Sequence, residues 1–216
     1  MAMASGTGRA ALADEVRTAL DACCSGSRTE LIGSLGAGTA DAYSDIDLAW
    51  VVPDVSFPAC LSSAVAALRR VRPIESVRSD PDFHRSDRRR LLFVRFAGVP
   101  LFWRLDLDVR AASVAGDAHY DSDNPGARAR EGEWSRPASA LANALGAVKA
   151  IARERYDDAR GLLDRGFDRI GERDRATGAW ASDVARLARA AARHDPALAD
   201  LAARVTALLD GSAPTR

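Results

Sequence analysis

The sequence predicts an α+β domain followed by an all-α helical bundle. Three observations carry that prediction. Short apolar, β-rich runs are mixed with helical patterns over the first ~110 residues, without the strict alternation of a doubly wound sheet. A polar stretch at 116–136, rich in turn formers, then interrupts the pattern. Beyond it every apolar residue recurs at helical spacing. The expected division is 1–115, a linker at 116–136, and 137–216.

The elements follow in order. "GRAALADEVRTALDACC" repeats Leu12, Val16 and Leu20 at four-residue steps, the spacing of one helix face. "TELI" is a short strand running straight into Gly33-Ser34. "IDLAWVV" begins by alternating and ends apolar throughout, as in a strand covered on both sides. "FPACLSSAVAALRRV" reads as a helix and "PIESVRS" as a strand. "LLFVRF" and "LFWRLDLDVR" read as strands joined by a tight "AGVP" turn. Four helices are expected after the linker: "ASALANALGAVKAIARERY", "DDARGLLDRGFDRI", "GAWASDVARLARAAARH" and "PALADLAARVTALL", the last opened by Pro196.

Composition narrows the function. The 216 residues are 47% apolar, enough for a globular core. Acidic and basic residues balance at 30 each, so a large polyanionic partner such as a nucleic acid is not expected. No apolar run reaches the ~20 residues that cross a bilayer, and the N-terminus lacks the basic-then-apolar order of a signal peptide. A cytoplasmic protein with no membrane partner is expected. Cys23, Cys24 and Cys60 imply no disulfide framework and no metal-ligand spacing, and the three histidines are scattered.

The stretch "LIGSLGAGTADAYSDIDLAW" carries the chemistry. Gly33 permits a sharp turn after a strand, and its N–H with that of Ser34 can form a nest for phosphate oxygens. Asp45 and Asp47 flank Ile46, and on a strand they share a face, roughly 7 Å apart. Two carboxylates so placed repel unless a cation joins them, and hard oxygens beside phosphates suit Mg²⁺. "WRLDLDVR" offers a third acid. Asp106 and Asp108 share a face with Arg104, and a salt bridge to Arg104 is the structural alternative for Asp106. If this strand lies beside the first, three carboxylates can hold two cations.

Gly33-Ser34, ten residues, then Asp45-Ile46-Asp47-Leu48, with a further Asp on a later strand, resembles the signature of the DNA polymerase β-like nucleotidyltransferase superfamily. The layout of the helical segment resembles the substrate-binding bundle of its small-molecule members, the aminoglycoside and lincosamide nucleotidyltransferases. The resemblance implies a mixed-sheet catalytic domain. It implies Gly33 and Ser34 at the nucleotide's phosphates, and Asp45, Asp47 and Asp106 as catalytic acids and Mg²⁺ ligands, with Asp108 the alternative third acid.

It further implies in-line attack by a hydroxyl on the α-phosphate of ATP, or another NTP, with pyrophosphate leaving. A small-molecule acceptor and a role in antibiotic resistance follow from the same resemblance. Lys149, the sole lysine, lies in the otherwise small and apolar "ANALGAVKAIA". It either sits on a solvated helix face or, as in similar enzymes, reaches the triphosphate. A regulatory, antitoxin-like nucleotidyltransferase acting on a partner protein is the competing expectation.

Overall fold

In the computed structural model, residues 8–210 are described; the start of the first expected domain and the end of the last, and the first residues of the stretch tested for a signal peptide, lie outside them. The chain divides into two compact units after Trp134.

The first unit is built on a five-stranded mixed sheet of order β1-β2-β5-β4-β3. The strands are β1 (Arg28–Leu31), β2 (Ile46–Val52), β3 (Ile74–Ser79), β4 (Arg89–Phe96) and β5 (Leu105–Ala111). β1 and β2 are antiparallel, as are β3 and β4, and β4 and β5. The exception is the β2–β5 pair, which is parallel. Two long helices, α1 (Arg9–Cys23) and α3 (Phe57–Val71), supply the layer against which the sheet packs.

Strand alternation decides what each sheet face does. Ile46, Leu48, Trp50 and Val52 of β2 join Leu105, Leu107, Val109 and Ala111 of β5 in one core. Leu12, Val16 and Leu20 of α1 close that core from the helical side, at the four-residue spacing seen in the sequence. Phe57, Cys60, Ala64 and Leu68 do the same from α3. The period of two then sends Asp47, Asp106 and Asp108 to the opposite face.

Three local expectations need correcting. β4 and β5 do pair antiparallel, but the connection runs through 97–104 rather than closing in a tight turn. β2 starts at Ile46 and β5 at Leu105, so Asp45 and Arg104 each precede a strand instead of projecting from one. The cysteines also differ from expectation: Cys24 and Cys60 form a disulfide with their Cα atoms 6.0 Å apart. Nothing in their spacing signals it. The bond exists because the end of α1 and the first turns of α3 pack side by side in one core.

The polar stretch after β5 is stitched back onto the same unit. Arg85 N–H donates to the Ala127 carbonyl at 2.7 Å, and Ala129 N–H to the Pro81 carbonyl at 2.7 Å.

The second unit is helical: α4 (Arg136–Ala152), α5 (Tyr156–Arg169), α6 (Trp180–His194) and α7 (Ala199–Asp210). Ser135 caps α4 by accepting from the Ala138 N–H at 3.1 Å. α4 ends earlier than its sequence pattern suggests, because Glu154 takes a left-handed φ of 58° and turns the chain into α5. Among the described residues no helix is long and apolar enough to cross a membrane.

Closing a loop of this kind, with a sequence separation of 36 between the cysteines, restricts the unfolded chain. Replacing Cys24 and Cys60 together by Ala is expected to cost about 3–4 kcal/mol of unfolding free energy. Urea unfolding of the oxidised wild type against the double variant checks this, and equal midpoints would refute it.

Candidate active site

The site assembles where β1, β2 and β5 meet at one end of the sheet. β1 hands over at Ile32, whose N–H donates to the Asp47 carbonyl at 3.0 Å. One residue later the chain turns at Gly33 into a single helical turn, α2 (Gly33–Gly36), which includes Ser34. Gly33 has a φ of 61°. A side chain there would be doubly excluded, because a Cβ would lie 2.3 Å from Asp47 Oδ2. The Gly-Ser turn is therefore pressed directly against the Asp47 carboxylate.

The loop that returns to β2 is pinned from α1. The Arg9 guanidinium donates to the carbonyls of Asp41 and Ser44, both at 2.7 Å. The Asp41 carboxylate accepts from the Tyr43 N–H and the Ser44 hydroxyl. These bonds fix the residues immediately before Asp45.

β2 and β5 run in register. Ile46 pairs with Leu105 and Asp47 with Asp106. The two acids are therefore direct neighbours on adjacent strands, about 5 Å apart at the backbone. Both side chains are half-buried. Asp45 sits one residue upstream, before the strand begins.

Arg104 is the residue that the sequence treated only as a salt-bridge alternative. Its guanidinium donates both to Asp106 Oδ1 at 2.5 Å and to Asp106 Oδ2 at 2.6 Å. Asp45 Oδ2 lies 3.7 Å from the same group. The Phe93 ring stacks beneath it, 4.7 Å from ring centre to guanidinium carbon. Burial works to lower the Arg104 pKa. Charge and hydrogen bonds from Asp106, then charge from Asp45 and Asp47, outweigh burial and raise it further. Three carboxylates thus converge electrostatically on one cation. The signal was present in "WRLD", an arginine two positions before an acid, though the spacing alone could not separate a bland pair from a site.

Asp108 has a different role. It is 6% exposed. Arg89 reaches its two oxygens at 3.3 and 3.1 Å, and Arg110 donates twice to Oδ2. Arg89 also donates to the carbonyls of Ala118 and Tyr120 and packs over Phe83. This ion-pair node ties β5 and β4 to the segment that follows. Asp108 is buried and paired with two arginines.

Lys149 belongs to the second unit, in the last turn of α4, where a cation also favours the helix dipole. The first unit brings Gly33, Ser34, Asp45, Asp47 and Asp106 to one end of its sheet.

The donor set suits a hard divalent ion, with carboxylate oxygens in register on rigid strands. As they stand, no three carboxylate, histidine or cysteine side chains among the described residues are grouped to hold a metal. Both oxygens of Asp106 are engaged by Arg104. Each oxygen keeps a second lone pair, so a metal at Asp106 would either share an oxygen with the guanidinium or displace it.

No protein-family model matches the chain, and no curated protein does. Among solved structures it is similar to a chain of the GLD-2/RNP-8 complex, with 16% identity and a TM-score of 0.37, over 70% of this chain and 50% of that one. It is similar to Cid1, whose structure is described for RNA terminal uridylyl transferase activity, with 18% identity and a TM-score of 0.37, over 66% of this chain and 38% of that one. A cytoplasmic RNA terminal U-transferase is similar at 17% identity and a TM-score of 0.36, over 67% and 38% of the two chains. The chain therefore spans half or less of the length of the solved chains it matches.

Three stability outcomes are expected. Gly33→Ala forces a left-handed alanine into the Asp47 carboxylate and should cost about 1–3 kcal/mol. Asp106→Asn withdraws the charged partner from a mostly buried guanidinium and should cost on the order of 2 kcal/mol. Asp47→Asn, which relieves repulsion, should cost less. Thermal unfolding of the three variants checks the ranking, and a more stable Asp106→Asn than Asp47→Asn would overturn the account of Arg104.

Proposed function

We propose that the chain is a nucleotidyltransferase of the polymerase β-like kind, moving a nucleoside monophosphate from an NTP to a hydroxyl of a small molecule. The in-register placement of Asp47 against Asp106, with Gly33 packed on the Asp47 carboxylate, is the observation that carries this reading. Two acids held side by side at a turn of small residues form a place for a cation and the phosphates it accompanies.

In this reading Gly33 and Ser34 present backbone N–H groups to the outer phosphates. Asp47, Asp106 and Asp45 would hold Mg²⁺, which would supply positive charge against the phosphates. Asp106, once released by Arg104, has an oxygen to accept the proton of the attacking hydroxyl. Arg104 then remains beside the phosphates as a second positive charge. The rest of the protein's work is positioning. For Lys149 the family resemblance implies a further cation for the phosphates.

The balanced charge favours a small acceptor over a nucleic acid, because a chain that tracks a phosphate backbone needs a basic excess. Within the family resemblance, aminoglycosides and lincosamides are the acceptors to try first, with ATP the first donor. A cytoplasm supplies both NTP and Mg²⁺, although a disulfide such as Cys24–Cys60 is rare in that compartment.

The test is Mg²⁺-dependent pyrophosphate release from each of the four NTPs, with a panel of small hydroxylated acceptors that includes both drug classes. Release by the wild type and its loss in Asp47→Asn, by at least a hundredfold, is the expected result. Equal release by Asp47→Asn would remove the metal assignment. Release that needs an added protein rather than any small molecule would move the acceptor to the antitoxin-like class. Lys149→Ala is expected to raise the NTP KM severalfold or lower kcat, and unchanged kinetics would return that lysine to a helix surface.

A further inference from the structure

The first unit contains a cavity that the proposed chemistry does not use. It has a volume of about 290 Å³. Its wall is made by Leu12 of α1, Arg72 at the end of α3, and Gly98, Val99, Pro100 and Trp103 of the connection between β4 and β5. That is the small end of the range for ligand sites, sized for a compact flat molecule. Leu12 belongs to the core between sheet and helices, and Val99 and Trp103 pack against that core. The cavity is therefore on the helix side of the sheet, whereas Asp47 and Asp106 are on the other face. Gly98 and Pro100 are exposed, so it opens to the surface.

Two features of the wall point to a ligand. The first is the connection itself. From Ala97 to Trp103 it carries no polar or charged side chain, although segments that join strands at a surface are ordinarily polar. Leu101 is buried, but Val99, Phe102 and Trp103 are only half-buried. Phe102 is accounted for by the Tyr43 ring, which meets it edge to face with centres 5.4 Å apart. Trp103 has no such aromatic partner among the described residues, and it lines the cavity. The second feature is Arg72, the one ionisable side chain among the described residues of the wall. Its ion pair is with Glu15 of α1, Nη2 to Oε2 at 3.5 Å, and both side chains are partly exposed. Its Nε is closed to water and donates to no described residue. A donor left unused beside an apolar wall is an incomplete arrangement, because a bond not made at a buried donor is costly.

We propose that this cavity binds a small aromatic carboxylate. The guanidinium of Arg72 takes the carboxylate in its fork, and the indole of Trp103 packs on the ring. Leu12, Val99 and Pro100 cover the rest of the ring from water. A single cation among apolar walls does not suit a triphosphate, and nothing in the wall answers the charge of a polycation. Neither an NTP nor an aminoglycoside is its ligand, so the inference stands independently of the proposed transfer.

Calorimetric titration of the full chain with benzoate is the test. Binding by the wild type is expected. It should be at least tenfold weaker for benzyl alcohol, which lacks the charge, and severalfold weaker for cyclohexanecarboxylate, which lacks the flat ring. Those comparisons need no variant. Arg72→Gln should weaken benzoate binding at least tenfold, and Trp103→Leu severalfold. Glu15→Gln removes the competing carboxylate and should tighten binding severalfold, a gain that misfolding does not produce. No binding by the wild type, equal binding of either analogue, equal binding by Arg72→Gln, or no gain in Glu15→Gln overturns the proposal. So does displacement of benzoate by ATP with Mg²⁺, which would put the probe at the acids instead. Pyrophosphate release is measured separately: its absence while benzoate binding stands removes the functional reading and leaves the cavity.

Discussion

The register of β2 against β5 is the constraint on which the rest depends. It sets Asp47 beside Asp106 and so forces two carboxylates together on rigid strands. Like charges at that spacing are unfavourable, and the surrounding structure answers with Arg104. Everything near the site follows from holding that arrangement. Gly33 must lack a side chain because Asp47 occupies the space, and Arg9 must reach from α1 because the loop before Asp45 would otherwise be loose. Apolar residues on the other face of the same strands anchor the register, since a slip by one residue would send Leu48 and Leu107 out of the core and the acids into it.

The two acids of β5 show how one strand serves two ends. Asp106 and Asp108 share a face and differ only by two positions, yet their neighbours divide them. Asp108 is neutralised by arginines from β4 and from its own strand and is closed to solvent. Asp106 is held by Arg104 at the sheet's end and keeps part of its surface open. A buried acid with two permanent partners is an architectural pin.

Much of this was legible in the sequence because it rests on short-range periodicity. The helix faces of α1 and α3, the strands β2 through β5, and the alternation that isolates Asp47 from Ile46 and Leu48 are all local patterns. So was the pairing of small residues with acids around Gly33. What could not be read were long-range choices. The sequence favoured Asp106 but could not exclude Asp108, because Arg89, which buries Asp108 in an ion pair, lies on another strand. The Cys24–Cys60 bond was hidden for the same reason: it records the packing of two helices rather than any spacing in the chain. The hairpin between β4 and β5 was seen but its length misjudged, because apolar Leu101 and Phe102 read as strand while the ladder begins only at Leu105.

The parallel pairing of β2 with β5 also governs the order in which this protein can be made. Antiparallel neighbours form from adjacent stretches, but β2 must wait while α3, β3 and β4 are laid down before its partner arrives. Its contacts are of high contact order, the kind whose loop-closure entropy slows folding. During that interval one edge of an almost wholly apolar strand stands unpaired, with backbone groups able to accept another chain. The polar chemistry of the sheet's end is thus the last local feature to mature, and a nascent chain that stops short of β5 carries Asp47 with nothing opposite it.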